Sequence, residues 1–298
     1  MKINYVYREG NAFTFAFRKT FVDELEKMGH EVRAYLSAFH QKDFSDFLPF
    51  LKTPCDLLII IGGGDKYYPL FNDKETMDYV RNLKVPKLGV MIEGSRARTS
   101  TLTRFLLTMP LWTHVLTPDE VDVPLFESYG IKTMWNPCIV DDKFFKPLNI
   151  EKTIDCDFIG RIHKCRVDIV QHLKDNLGIQ NNSYPTDEEY VVGINKSKML
   201  ISLISPFKAF TTRVPEIMAC KTLMLHPELQ EAQTECKKVF EDKKEIVYYK
   251  NKEELVELAK YYLEHEDERN QIIENAYNKV INEYSVSLVA KKIMDFIK

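Results

Sequence analysis

TTRVPEIMACKTLMLHP, residues 211–227, reads as a turn, a short helix, a tight exit and a buried strand. Thr211 and Thr212 can cap the helix, because a hydroxyl accepts one of the N–H groups that the first turn leaves unpaired. Pro215 fits that turn, where its missing N–H has no intrahelical partner to lose. The apolar TLML that follows suits a strand. Arg213 and Glu216 are three positions apart, so on a helix they share one face. A helix start offers unpaired N–H groups and partial positive charge, which suit a phosphate. Arg213 adds a fixed cationic fork, and Glu216 an acceptor pair suited to two vicinal hydroxyls. Phosphate and ribose side by side describe a nucleotide. The plainer alternative is a surface Arg–Glu pair capping an ordinary helix.

The chain on either side of this stretch repeats an α/β pattern. In TIDCDFIGRIHKCRVDIVQHLKDN, residues 153–176, Cys156, Phe158 and Ile159 suit a strand, Gly160 a turn, and residues 165–176 a helix. Arg161, Lys164 and Arg166 follow the turn, where a diphosphate can lie; His163 reads as a bystander. Asp155-Cys156-Asp157 matches the short DxD metal motif. It is discounted, because it sits at the beginning of a strand and ligands in parallel sheets gather at strand ends. SKMLISLISP, residues 197–206, is the next strand, and Lys208 follows it. EIVYY, residues 245–249, is another. Asn251 with Glu254 has the form of a capping box, starting a helix to about His265. Further helical patterns cover roughly 266–283 and 286–297. Segments 177–196 and 227–244 are polar and irregular, and no element is assigned to them.

The first half has the same grammar. KINYVY is a strand, REGNAFTF a polar loop, residues 14–28 a helix ended by Gly29, and HEVRAYL a strand. This order predicts a parallel sheet with right-handed crossovers. Functional groups in such sheets lie beyond the strand carboxyl ends, which puts Arg8, Glu9, Gly10 and Asn11 at the rim of a cleft or in a solvated loop. DLLIIIGGGDKYYP, residues 56–69, runs from a strand without alternation, hence covered on both faces, into three glycines. The spacing is neither GxGxxG nor GxxxxGK[ST]. Asp65 beyond the glycines is a candidate general base, or a group that bonds its own turn. KLGVMIEGSRARTSTLTR, residues 87–104, again ends a strand at a rim, with Glu93 at the tip. Arg96, Arg98 and Arg104 form a basic cluster that suits an anionic acceptor, donor phosphates or a solvated helix start. NPCIVDDKFFKP, residues 136–147, has proline near both ends and reads as a linker, placing a domain boundary near residue 148.

Bulk properties narrow the class. The 298 residues suffice for two domains, and 45% hydrophobic with 29% charged residues describes an ordinary globular chain. A formal net charge of -3 predicts no bulk attraction to nucleic acid or anionic membrane. The six cysteines form no CxxC pair, so neither zinc nor a disulfide framework is predicted. No apolar run approaches the roughly 20 residues that span a bilayer, and MKINYVYREG reads as a strand rather than a signal peptide. A cytoplasmic location is expected.

The C-terminal half resembles the group-1 type of glycosyltransferases, in particular the branch similar to spore-maturation proteins of the CgeB kind. The resemblance rests on FIGR…R at 158–166, RVPEIMACKTLML at 213–225 and EIVYYKNKEELVELAKYYLEHEDER at 245–269, with NPCIVDDKFFKP similar to the linker that precedes the donor domain. It implies the GT-B architecture: two Rossmann-like domains facing across a cleft, with parallel sheets and helices on both faces. Residues 1–148 would form the acceptor-side domain and 149–283 the nucleotide-sugar domain, with a last helix, 284–298, crossing back to the first. Glu216 would hold the ribose hydroxyls, and Arg213 with the Gly160 turn the diphosphate.

The resemblance further implies transfer of a sugar from a nucleoside-diphosphate donor, UDP-linked ahead of GDP-linked, to an acceptor hydroxyl, with no metal or other cofactor. Many retaining members carry an acidic residue eight positions before the ribose carboxylate; here Lys208 occupies it, so the stereochemical outcome stays open. An inverting reaction requires a base, for which Asp65 and Glu93 are the candidates with Glu9 behind them. The acceptor is open among a glycan, a protein, a small molecule and a modified DNA base. Two other readings fit the layout: a sugar-nucleotide epimerase or phosphorylase, and a catalytically silent sugar-nucleotide or glycan-binding subunit.

Overall fold

Apolar stretches flanked by glycine and polar turns become ten parallel strands in two sheets among the described residues of the computed structural model. Those residues are 1–8, 16–37, 44–62, 73–91, 109–182, 184, 186–203, 213–228 and 234–298. The chain divides into two units, Met1–Ile139 with Val286–Lys298, and Val140–Ser285. The first division falls inside NPCIVDDKFFKP.

The first unit carries β1 (Lys2–Arg8), β2 (Glu31–Ser37), β3 (Leu57–Ile61), β4 (Lys87–Val90), β5 (His114–Thr117) and β6 (Lys132–Trp135), in the order β2-β1-β3-β4-β5-β6. Every pairing is parallel. Its helices before the division are α1 (Lys19–Lys27), α2 (Phe47–Leu51), α3 (Lys74–Asn82) and α4 (Asp122–Glu127). The unalternated run of β3 has the cause the sequence predicts. Leu57, Ile59 and Ile61 pack with Phe21 and Leu25 of α1, while Leu58 and Ile60 pack with Phe47 of α2, Val80 of α3 and Phe126 of α4. Successive side chains of a strand face opposite ways, so both faces must be apolar when helices cover both.

The regular helix over 14–28 is shorter than predicted. Residues 16–17 form a tighter turn and α1 begins at Lys19. The Tyr5 hydroxyl donates to the Phe17 carbonyl at 2.7 Å, so that carbonyl is bonded to β1. Gly29 ends the helix at a φ of 83°, a conformation that favours glycine.

The second unit carries β7 (Ile154–Asp157), β8 (Ser197–Ile201), β9 (Leu223–Pro227) and β10 (Val247–Tyr249), in the order β10-β9-β8-β7, all parallel. Its helices are α5 (Val167–Leu177), α6 (Asp187–Lys196), α7 (Arg213–Ala219), α8 (Thr234–Val239), α9 (Lys252–Glu264) and α10 (Glu266–Tyr284). Cys156, Met199, Ile201, Leu223, Leu225 and Val247 of the sheet pack with Leu173 of α5, Leu255 and Ala259 of α9, and Ile272 of α10. The last helix, α11 (Val286–Ile297), belongs to the first unit, where Val289, Ala290 and Ile293 join the core containing Phe21.

Helix α6 lies in the segment to which the sequence reading assigned no element. Its first turn, Asp187, Glu188 and Glu189, is polar enough to resemble a loop, yet acidic residues favour a helix N-terminus. Thr186 closes a full capping box: its hydroxyl accepts from the Glu189 N–H at 3.2 Å, and the Glu189 carboxylate accepts from the Thr186 N–H at 3.1 Å. At α9 the box is half formed. Asn251 accepts from the Glu254 N–H at 2.8 Å, but the Glu254 carboxylate takes the N–H of Lys250 at 2.6 Å.

Candidate nucleotide site at the strand ends of the second unit

Helix α7 is buried from Val214 to Ala219, and Glu216 is only 4% exposed. A carboxylate in that position requires partners, because burial removes its hydration. One is the phenol of Tyr190 on α6, which donates to Glu216 Oε2 at 3.2 Å. The Arg213 guanidinium lies close to the same phenol, and its charge opposes the rise that Glu216 causes in the phenol's pKa. Glu216 and Tyr190 are therefore hydrogen-bonded in a buried setting beside Arg213, and a solvated surface pair does not describe them. Burial first, and then the Glu216 charge, push the Tyr190 phenol well above its ordinary value, so it keeps its proton.

The turn after β7 meets this group. A Cβ on Gly160 would lie 2.8 Å from Arg213 Nη1 and 3.0 Å from Phe158 Cζ, so the guanidinium occupies the space that glycine leaves. The Gly160 carbonyl is fixed from behind by Asn181, whose side-chain amide donates to it at 3.1 Å and to the Phe158 carbonyl at 2.8 Å. Asn181 holds a left-handed φ of 58°. Its N–H, at 2.8 Å, is one of four donors to the Asp157 carboxylate, with Phe158 N at 2.8 Å, Asn182 N at 3.2 Å and Asn182 Nδ2 at 2.8 Å.

β7 ends at Asp157, so the DxD reaches the carboxyl end of its strand and not the beginning that the sequence suggested; what sets it aside is that both its carboxylates are engaged within the protein. Asp157 is 1% exposed and organises the turn behind Gly160. Asp155 pairs with Lys198 of the neighbouring strand at 2.6 Å.

Arg166 is buried at the start of α5. It donates to the Arg161 carbonyl at 3.0 Å and to the Leu203 carbonyl at 3.3 Å, and lies 5.5 Å from the Phe158 ring centre. It braces the turn after β7 against the end of β8. Burial and the nearby Arg213 charge lower its pKa. Two guanidiniums in one neighbourhood repel each other, and an anion between them would relieve that repulsion. Arg161 and Lys164 are exposed on the same loop.

The structure therefore brings Gly160, Arg166, Arg213 and Glu216 together and sets Arg161 and Lys164 at the margin. Lys208, Thr211 and Thr212 lie outside the described residues, as do Asp65, Glu93, Glu9, Asn11 and Arg96. Tyr190 and Asn181 belong to this site and were not singled out by the sequence reading. For Tyr190 the available signal was the T-x-x-E pattern of Thr186 and Glu189. Among the described residues no cluster of three or more His, Cys, Asp and Glu stands at metal-binding distance. No helix among them is long and apolar enough to cross a membrane.

Two parallel-sheet α/β units of this construction define the GT-B fold class, and solved glycosyltransferases superpose along nearly the whole chain. An α-glucosyltransferase in complex with UDP and a 13-mer DNA has a TM-score of 0.69 at 13% identity, covering 99% of each chain. A glycosyltransferase from Rickettsia africae has a TM-score of 0.66 at 15% identity, covering 100% of this chain and 97% of the other. Anabaena HepE in complex with UDP and glucose has a TM-score of 0.65 at 10% identity, covering 99% and 98%. No curated protein matches the sequence. The signature of the family described as glycosyl transferase-like matches residues 142–295, just over half of the 298 residues, and the chain belongs to that family.

Proposed function

We propose that this glycosyltransferase binds a nucleoside-diphosphate sugar at the strand ends of its second unit and transfers the sugar to an acceptor hydroxyl. The observation that carries the reading is the convergence of Arg213 on the Gly160 turn beside the buried carboxylate of Glu216. The guanidinium and the glycine turn hold the diphosphate, and Glu216 accepts hydrogen bonds from the ribose hydroxyls. Arg161 and Lys164 meet the phosphates from the exposed side of the turn, with Arg166 bracing it. Lys208, Thr211 and Thr212 belong to the same donor site in this reading.

UDP is the favoured nucleotide and GDP the next. The α-glucosyltransferase and HepE complexes contain UDP, which supports that order. Fixed cations stabilise the leaving diphosphate without a metal. That reading is supported by the engagement of Asp157 with four N–H donors, which leaves the DxD pair a structural role. Asp65 or Glu93 deprotonates the acceptor, with Glu9, Asn11 and Arg96 on the acceptor side. The acceptor is a glycan, protein, small molecule or modified DNA base. Within the family, the FIGR and RVPEIMACKTLML motifs favour the branch similar to CgeB. The location is cytoplasmic.

A thermal-shift screen against UDP, GDP, ADP and their sugars tests the donor. UDP or UDP-sugars should raise the unfolding temperature most, since ligands that bind only the native state stabilise it. An absence of any shift with UDP and GDP at millimolar concentration would reject the reading.

A further inference from the structure

Tyr190 sits between the two side chains that divide the labour at the donor site. Its phenol donates to Glu216 Oε2 at 3.2 Å and lies beside the Arg213 guanidinium. A phenol has one proton. A carboxylate only accepts, so that proton is given to Glu216.

The platform beneath Tyr190 is fixed at both ends. Thr186 and Glu189 cap the start of α6. Near its end, Asn195 accepts from the Leu148 N–H at 2.8 Å and donates to the Lys146 carbonyl at 3.1 Å and the Val191 carbonyl at 3.0 Å. The Tyr190 ring also lies edge-on to Phe145, with ring centres 6.0 Å apart. A hydroxyl on an anchored helix fixes a carboxylate orientation that a mobile partner would leave free to rotate. A carboxylate has about four acceptor positions, so one phenol orients it without exhausting it.

We propose that Tyr190 is a positioning residue that makes the donor site select ribonucleotides over 2′-deoxyribonucleotides, by aiming the Glu216 carboxylate at the ribose hydroxyls. This rests on the reading of Glu216 as the ribose acceptor. Binding of UDP alone, without the sugar, is enough to show it.

Calorimetric titration of UDP and 2′-deoxy-UDP into the wild-type protein, Tyr190→Phe and Glu216→Gln tests it. Tyr190→Phe keeps the ring and its packing on Phe145, and its circular dichroism spectrum and unfolding temperature confirm the fold. The wild type should prefer UDP. Tyr190→Phe should weaken UDP by about tenfold and 2′-deoxy-UDP by less than about twofold, so the preference shrinks. Glu216→Gln should lose the preference. If Tyr190→Phe keeps the wild-type preference while Glu216→Gln loses it, the Tyr190 role is wrong and the Glu216 reading stands. Equal loss on both nucleotides would mark a general structural role and overturn the proposal. No preference in the wild type, or one retained in Glu216→Gln, would overturn both readings.

Discussion

The two sheets share a construction and differ in what their buried polar groups face. In the first unit the Lys87 ammonium donates to the Val80 and Leu83 carbonyls at the end of α3, and the Tyr5 hydroxyl to the Phe17 carbonyl. These bonds close the backbone of that unit. The second unit has such groups too: Lys152 donates to the Asn195 and Ser197 carbonyls, and Asp157 collects four N–H groups. At strand ends, the first unit joins Thr117 to Asp122 side chain to side chain at 2.9 Å, whereas the second joins Tyr190 to Glu216 beside the cation of Arg213. Most side-chain hydrogen bonds in proteins go to backbone or water, so a buried ionic group of this kind is unusual. The contrast separates groups that hold a fold from the group proposed to meet the donor, and substitutions in each class should behave differently.

The largest effect belongs to the scaffold. Phe21 is fully buried among Tyr5, Phe17 and the α11 side chains, and Phe21→Ala should lower unfolding free energy by about 3–5 kcal/mol. Donor affinity of the folded fraction should not change; a large loss there would blur the distinction between the two classes. Asp157→Ala comes next. It removes the shared acceptor of four N–H groups and should cost about 3 kcal/mol in urea denaturation. Wild-type transfer activity should be indifferent to chelator. Activity abolished by EDTA and restored by a divalent cation would return a metal role to the DxD pair.

Gly160→Ala sharpens the comparison from the other side. The new Cβ would lie 2.8 Å from Arg213 Nη1, so the guanidinium must move. Donor affinity should fall about tenfold, with little change in unfolding temperature. A stability loss with unchanged affinity would class the turn as scaffold. The smallest effect is a slope in pH. Burial holds Lys152 down to about 8 from 10.5. Between those values the unfolded chain keeps a proton that the folded chain has released, so stability should rise with pH across this interval. Urea midpoints should show that rise in the wild type, and Lys152→Met should flatten it. An identical slope in both proteins would assign the effect to other groups.

Much of the scaffold was legible because periodicity reports burial directly. The unbroken apolar run at 57–61 announced a strand covered on both faces, and the helix–strand pair at 213–227 was readable from its proline and the TLML that follows. Gly160, Arg213 and Glu216 were legible as types suited to phosphate and ribose. Their convergence was legible only through the family resemblance, which pairs Arg213 with the Gly160 turn, because spacing alone does not join positions so far apart in sequence. Tyr190 was hidden for a different reason. The acidic first turn of α6 resembles a loop, and its helix becomes visible only when Thr186 and Glu189 are read as a cap. The proposed bases Asp65 and Glu93 lie outside the described residues, so their placement rests on the sequence alone.

The central claim is that Glu216 reads the ribose of a nucleoside diphosphate. Titrating UDP into wild-type protein and Glu216→Ala side by side in a calorimeter measures it directly. The wild type should bind with micromolar affinity, and the variant at least about a hundredfold more weakly, with its fold retained. Equal affinity in the two proteins would contradict the account.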